Sequence, residues 1–210
     1  MAVLDIITEG MVHHRLIRKD QNKGEAIRMM TEVGLDGNSI TRYPHEFSGG
    51  QRQRISIARA LSLNPEFIVC DEAVSALDVS VQAQVLNLLM DLREKYNLSY
   101  LFISHDLSVV RQISHRIAVM YLGCIVEEGA TEDIIDNPLH PYTQALIEAV
   151  PVPGASRQKK TILTGEIPSP ANPPSGCPFH TRCPQVMDQC RSVFPEVRSV
   201  NNRRVWCHLY

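Results

Sequence analysis

FIVCDEAVSALD, residues 67–78, decides the fold. It opens with a short uninterrupted apolar run and turns abruptly acidic at Asp71 and Glu72, which suits a strand buried on both faces that ends in a polar loop. A helix follows from about Ser80, because Val81, Val85, Leu88, Leu89 and Leu92 share one helical face. SYLFIS (Ser99–Ser104) repeats the strand signal, closes on His105-Asp106, and leads into a short helix ending near Ile113. Strands alternating with helices predict an α/β sheet, a class that places ligands at the carboxyl ends of its strands. Asp71, Glu72 and His105 all stand at such ends.

Upstream, FSGGQRQRISIARAL (Phe47–Leu61) starts a helix with Ser48 at the N-cap and runs to about Ser62, where Asn64-Pro65 stops it. Free N–H groups at a helix start bind anions, and glycine lets backbone approach a phosphate closely. Ser48, Gly49 and Gly50 are therefore candidate phosphate contacts. Before them the chain reads as helix, loop and helix, the second carrying Ile27, Met30 and Val33 and ended by Gly34 and Gly37. Downstream, Arg116–Gly129 predicts two strands about a tight turn at Leu122-Gly123, then short helices around Thr131–Asp136 and Pro141–Val150. Residues 151–176 hold six prolines and read as a linker or wrapping segment. His140 beside Pro141 is read as a turn or helix-start residue rather than a metal ligand.

Composition is that of an ordinary globular chain of 210 residues, with 44% hydrophobic and 21% charged residues and a formal net charge of -2. Residues 1–150 carry 13 Lys and Arg against 20 Asp and Glu, and residues 151–210 carry 8 against 3, an acidic body and a basic tail. No apolar run approaches the roughly 18 residues of a membrane span. Any membrane role is therefore expected to come through a partner. Of six cysteines, Cys70 and Cys124 sit in strand-like runs and are expected in the core. Cys177, Cys183, Cys190 and Cys207 gather in the last 34 residues.

Taken in order, FSGGQRQR, FIVCDE, SALD (Ser75–Asp78) and the strand ending in His105 resemble the ATP-binding-cassette (ABC) ATPases: signature, Walker B strand with the catalytic glutamate, D-loop and switch histidine. DEAVSALDVSVQAQVLNLLMDL, VMYLGCIVEEG, NPLHPYTQALIEAVP and GEIPSPANPPSGCPFHTRCP resemble more narrowly the ATPase subunits of bacterial dipeptide and oligopeptide importers. Ala73-Val74 replaces the usual Pro-Thr, and Cys124 stands where a basic residue is usual. The resemblance implies the C-terminal part of a P-loop, RecA-like α/β ATPase domain with a helical subdomain, followed by an irregular Cys-rich tail. It divides the chain into a partial helical signature subdomain (1–65), the Walker B and switch part of the core (66–150), a Pro-rich linker (151–176) and the tail (177–210).

By the same resemblance, Ser48, Gly49, Gly50 and Gln51 serve ATP held by a partner chain. Glu72 and His105 are catalytic, Asp71 meets magnesium, and Ser75 and Asp78 belong to the D-loop. The implied partners are a second ATPase subunit, two membrane permease subunits and an external solute-binding protein, at the cytoplasmic face of the bacterial membrane. No nucleic acid is implied: the DNA-repair relatives of these ATPases carry coiled coils or zinc insertions. No Gly-x-x-x-x-Gly-Lys-Ser/Thr stretch occurs in the 210 residues. The chain thus resembles the C-terminal two-thirds of a full subunit, with little catalysis of its own, exposed apolar sheet surface and poor solubility expected. An inactive form that supplies only the signature face is the competing expectation.

For the four tail cysteines, spaced by five, six and sixteen residues, a four-iron, four-sulfur cluster is the leading expectation, since some members of the resembled group carry one. Zinc fits the spacing less well, although His180 and His208 could serve as ligands. Reduced free thiols are the other alternative, set ahead of zinc.

Overall fold

The computed structural model describes residues 1–150 and 165–210; the first part of the predicted linker, 151–164, lies outside the described residues. The chain forms two compact units, Met1–Asp106 and Leu107–Tyr210.

In the first unit, three helices bury one face each. Helix α1 (Val3–His13) turns in Val3, Ile7 and Met11, and α2 (Asn22–Glu32) turns in Ala26, Met29 and Met30. Positive φ at Gly34 (71°) carries the chain out of α2. Helix α3 (Gly49–Leu61) turns in Ile55, Ile57, Ala58 and Leu61. The Ser62 hydroxyl at its end donates to the carbonyl of Ile7 at 3.1 Å, so α3 is tied to α1 as well as packed on it.

Strand β1 (Phe67–Asp71) then leads through α4 (Val79–Tyr96) to β2 (Ser99–Ile103). The two strands pair in parallel, with Val69 opposite Leu101 and Asp71 opposite Ile103. Helix α4 buries Val85, Leu86, Leu89 and Leu92 and closes at Asn97 in the left-handed region (φ 52°). The expectation of strands buried on both faces does not hold, whereas the expectation of exposed apolar sheet surface does. Cys70 is covered, but Phe67, Val69, Leu101 and Ile103 are 55%, 54%, 50% and 44% exposed. Side chains alternate across a strand, so one face is packed and the other stays bare among the described residues.

The second unit opens with α5 (Leu107–Ile113) and a hairpin of β3 (Arg116–Tyr121) and β4 (Cys124–Ala130), turned at Leu122 and Gly123, both with positive φ. Helices α6 (Thr131–Asp136) and α7 (Pro141–Ala149) follow. The tail, expected to be irregular, adds β5 (Val197–Val200) and β6 (Arg203–Trp206). They complete an antiparallel sheet ordered β3-β4-β6-β5, with Glu128 opposite Arg204. The sequence signal was Asn201-Asn202, two residues that accept positive φ (49° and 60°) between apolar runs. The core here is Ile117, Val119, Tyr121, Val126 and Ile134 closed over by Cys177, Phe179 and Cys190.

Candidate functional site

The predicted site residues fall into two groups in the first unit. At the start of α3, Ser48 accepts the Gln51 N–H on its hydroxyl at 3.3 Å, and the Gln51 side chain accepts the Ser48 N–H at 2.9 Å. This reciprocal box consumes both end residues and leaves the first-turn amides of Gly49 and Gly50 pointing out of the helix, as an anion site requires. The two glycines differ. A Cβ on Gly49 would sit in ordinary contact with Leu77 at 3.5 Å, whereas one on Gly50 would overlap Val81 Cγ1. Gly50 is buried because α3 crosses α4 there; only Gly49 is exposed.

The second group lies at the carboxyl ends of β1 and β2. Glu72 Oε1 lies 3.3 Å from His105 Nδ1, with both side chains largely open to solvent. Asp71 is exposed beside them. The Glu72 backbone is left-handed (φ 47°), its N–H donating to the Ile103 carbonyl at 3.0 Å and its carbonyl accepting from Ser75. Asp78 acts structurally, because its carboxylate caps α4, accepting the Val81 N–H at 3.0 Å and the Ser80 hydroxyl at 2.7 Å. Those bonds, the Ser80 hydroxyl first, hold its carboxyl below the usual range. Two shallow hollows of about 420 and 410 Å³ run along α1 and share Glu9 and His13, so neither includes a residue selected from the sequence.

The tail cysteines require a correction. Among the described residues no group of three or more His, Cys, Asp or Glu side chains is arranged to hold a metal ion, so the iron–sulfur expectation for Cys177, Cys183, Cys190 and Cys207 is overturned, and zinc with it. Cys177 and Cys190 pack in the apolar core, Cys183 packs against it, and Cys207 is buried. Burial pushes the thiols of Cys177 and Cys183 up and that of Cys207 to about 11, disfavouring the thiolate that ligates metals. His180 and His208 are occupied with the carbonyls of Cys177 and Val193, each at 2.9 Å. Cys70 behaves as the core residue expected, its thiol raised to about 11 by burial.

His140 is the helix-start residue expected, and more deeply set than the sequence indicated. It is 1% exposed, caps α7 by accepting the Tyr142 N–H on Nδ1 at 3.0 Å, and is pushed down to about 4 by burial. Beneath it lies a group that sequence reading missed. Glu127, fully buried, accepts the N–H groups of Leu139 and His140, each at 2.9 Å. Arg203, 5% exposed, lies 3.9 Å from that carboxylate and donates to the carbonyls of Asp133 and Asn137. No residue pattern announces this pair, since Glu127 and Arg203 are far apart in sequence.

A helix start with two glycines, an acidic strand end and a Glu–His pair on neighbouring parallel strands are the arrangement that the resemblance to ATP-binding cassettes leads one to expect. Comparison with known proteins agrees. Residues 5–75 match the ABC transporter family, and residues 126–190 match the oligopeptide/dipeptide transporter C-terminal region. The chain is 54% identical over 209 residues to the oligopeptide transport ATP-binding protein AppF of Bacillus subtilis, covering 98% of this chain and 64% of that one. Among solved structures, an inward-facing ABC transporter assigned to the metal-chelate type aligns with TM-score 0.60 and 29% identity, over 72% of this chain and 59% of that chain. An ATP-binding cassette in its ADP conformation shares the fold, with TM-score 0.56 and 24% identity, over 66% and 60% of the two chains. Over nearly its whole length the chain is similar to ATP-binding proteins of peptide and oligopeptide ABC transporters, and it spans under two-thirds of the length of AppF. No described helix is long and apolar enough to cross a membrane.

Proposed function

We propose that this chain is an ATP-binding component of a peptide-class ABC importer and contributes to ATP hydrolysis through Glu72. The observation that carries the reading is the 3.3 Å approach of Glu72 to His105 at the ends of paired strands. A carboxylate oriented by an imidazole from the next strand can draw the proton from an attacking water. Asp71, exposed beside it, suits magnesium, which retains waters and needs one or two carboxylates together with phosphate oxygens. Bound magnesium ATP supplies the phosphoryl group and neutralises its charge.

In the same reading the amides of Gly49 and Gly50, held by the Ser48–Gln51 box, face a phosphate on a second ATP-binding subunit. Ser75 and Asp78 shape the loop between these groups. The remaining partners are two permease subunits and an external solute-binding protein, with this chain peripheral on the cytoplasmic face of the membrane. The names of the relatives, which refer to oligopeptide transport, support a peptide substrate class.

A second reading has a specific observation behind it. The reciprocal Ser48–Gln51 box turns the start of α3 outward, so the chain would supply that face to a nucleotide held by another subunit, with Glu72 dispensable. ATP turnover by the complex of this protein with its membrane subunits separates the two. Glu72→Gln is expected to lower turnover about a hundredfold with ATP binding retained. Intact turnover in Glu72→Gln together with loss in Ser48→Arg would establish the second reading, and indifference to both would remove this chain from the nucleotide site.

A further inference from the structure

Glu72 is a non-glycine residue in the left-handed region, φ 47°, a conformation that persists only where the surroundings enforce it. Three hydrogen bonds do so. Its N–H donates to the carbonyl of Ile103 at 3.0 Å, which fixes it to the end of β2 two residues before His105. Its carbonyl accepts the Ser75 N–H at 3.2 Å and the Ser75 hydroxyl at 3.0 Å. Val74, 3% exposed, anchors the intervening turn.

We propose that Ser75 is a positioning residue for the Glu72 carboxylate: its hydroxyl closes the turn that keeps Glu72 left-handed, and that backbone posture aims the side chain at His105. A right-handed or extended Glu72 would carry its Cβ in another direction and part the 3.3 Å contact. Ser75 itself touches neither Oε atom; it acts on the Glu72 carbonyl alone. Alanine at this position leaves the single amide bond, and threonine keeps the hydroxyl. The inference rests on the reading of Glu72 as the carboxylate that polarises water.

The test has two arms, using Ser75→Ala, Ser75→Thr and Glu72→Gln. Hydrogen exchange on the 210-residue protein reads the clamp without any activity: Ser75→Ala is expected to speed exchange of the Glu72 and Ser75 amides about fivefold or more, with α3 unchanged and Ser75→Thr like the parent. In the transport complex, Ser75→Ala is expected to lower kcat about tenfold with KM for ATP within about twofold, and Ser75→Thr to restore it. Unchanged exchange in Ser75→Ala overturns the clamp. Parental kcat in Ser75→Ala, or failure of threonine to rescue, overturns the positioning role where Glu72→Gln is inactive. Parental kcat in Glu72→Gln overturns the reading of Glu72 and this proposal together.

Discussion

The two units treat polar residues in opposite ways. In Met1–Asp106 the candidate site residues are at the surface and most of their bonds are short-range: Ser48 with Gln51, Glu72 with Ser75, Asp78 with Ser80 and Val81. In Leu107–Tyr210 the conspicuous polar groups are inside, and their partners are distant in sequence: Glu127 with Leu139 and His140, Arg203 with Asp133 and Asn137. Residue types that signal a site in the first unit, a glutamate beside a histidine, serve packing in the second. The deciding fact is exposure: the Glu72 side chain is 56% open, whereas Glu127 is fully closed.

The largest effect that would break this comparison lies in the buried pair. Removing one partner of a buried ion pair leaves an uncompensated charge and costs about 3–5 kcal/mol. Arg203→Met is expected to destabilise the second unit by that amount, since it also strips donors from the carbonyls of Asp133 and Asn137. The fluorescence of Trp206, the only tryptophan in the chain and the last residue of β6, reports denaturant unfolding of this unit. Adding Glu127→Gln to Arg203→Met should recover part of the loss. A cost under about 1 kcal/mol for Arg203→Met would place the pair with surface ion pairs and erase the contrast.

The same contrast explains what could be read from the sequence. The α/β elements around Phe67–Asp78 were legible because their signals are local: Ser48 before two glycines, an apolar run ending in acids, a helical stripe from Val81 to Leu92. Glu72 and His105 were each legible as strand-end residues, but their 3.3 Å approach came only with the parallel pairing of β1 and β2. What failed depended on tertiary surroundings. An apolar run such as FIVC cannot say whether one face or two will be covered, and Phe67 and Val69 turned out exposed. Four clustered cysteines cannot say whether their sulfurs converge on an ion or fill a core beside Phe179. The strands of the tail were legible in principle, from Asn201-Asn202 as a turn, but the cysteines drew the reading away from it.

A sharper form of the comparison comes from acid. His140 is neutral in the fold, its value pushed down to about 4 from 6.5 by burial, with Tyr142, Phe179 and the Glu127 carboxylate beneath its own backbone N–H as neighbours. The unfolded chain takes up the proton first. Stability is therefore full above pH 6.5 and falls as pH drops from 6.5 towards 4, by about 3 kcal/mol in total. Glu128, held below the usual carboxylate range by Arg204 and then Arg116, loses its contribution only below about pH 4.5, so the upper part of the window belongs to His140. Trp206 unfolding curves at about pH 7, 6 and 5 should show the fall, and His140→Asn, which keeps a capping oxygen without a titrating ring, should flatten it. A parental pH slope in His140→Asn would assign the acid sensitivity to other groups.

The smallest effect tests whether glycine in the signature helix serves phosphate or packing. Gly49 and Gly50 look equivalent in the sequence, yet only Gly50 faces Val81 so closely that a methyl group would overlap it. Gly50→Ala is expected to cost the first unit about 1–3 kcal/mol, as overpacking does. Gly49→Ala meets only open contact with Leu77 and gains helix propensity, so its stability should change by less than about 1 kcal/mol. Circular dichroism of helix unfolding measures both. Val81→Ala should rescue Gly50→Ala, because the clash is with one methyl of that side chain, and should add only its own cavity cost to Gly49→Ala. If instead both glycines tolerate alanine structurally and both variants lose ATP turnover, then backbone approach to phosphate governs both positions. The exposed unit would then hold no glycine for the sake of its own packing at that helix crossing.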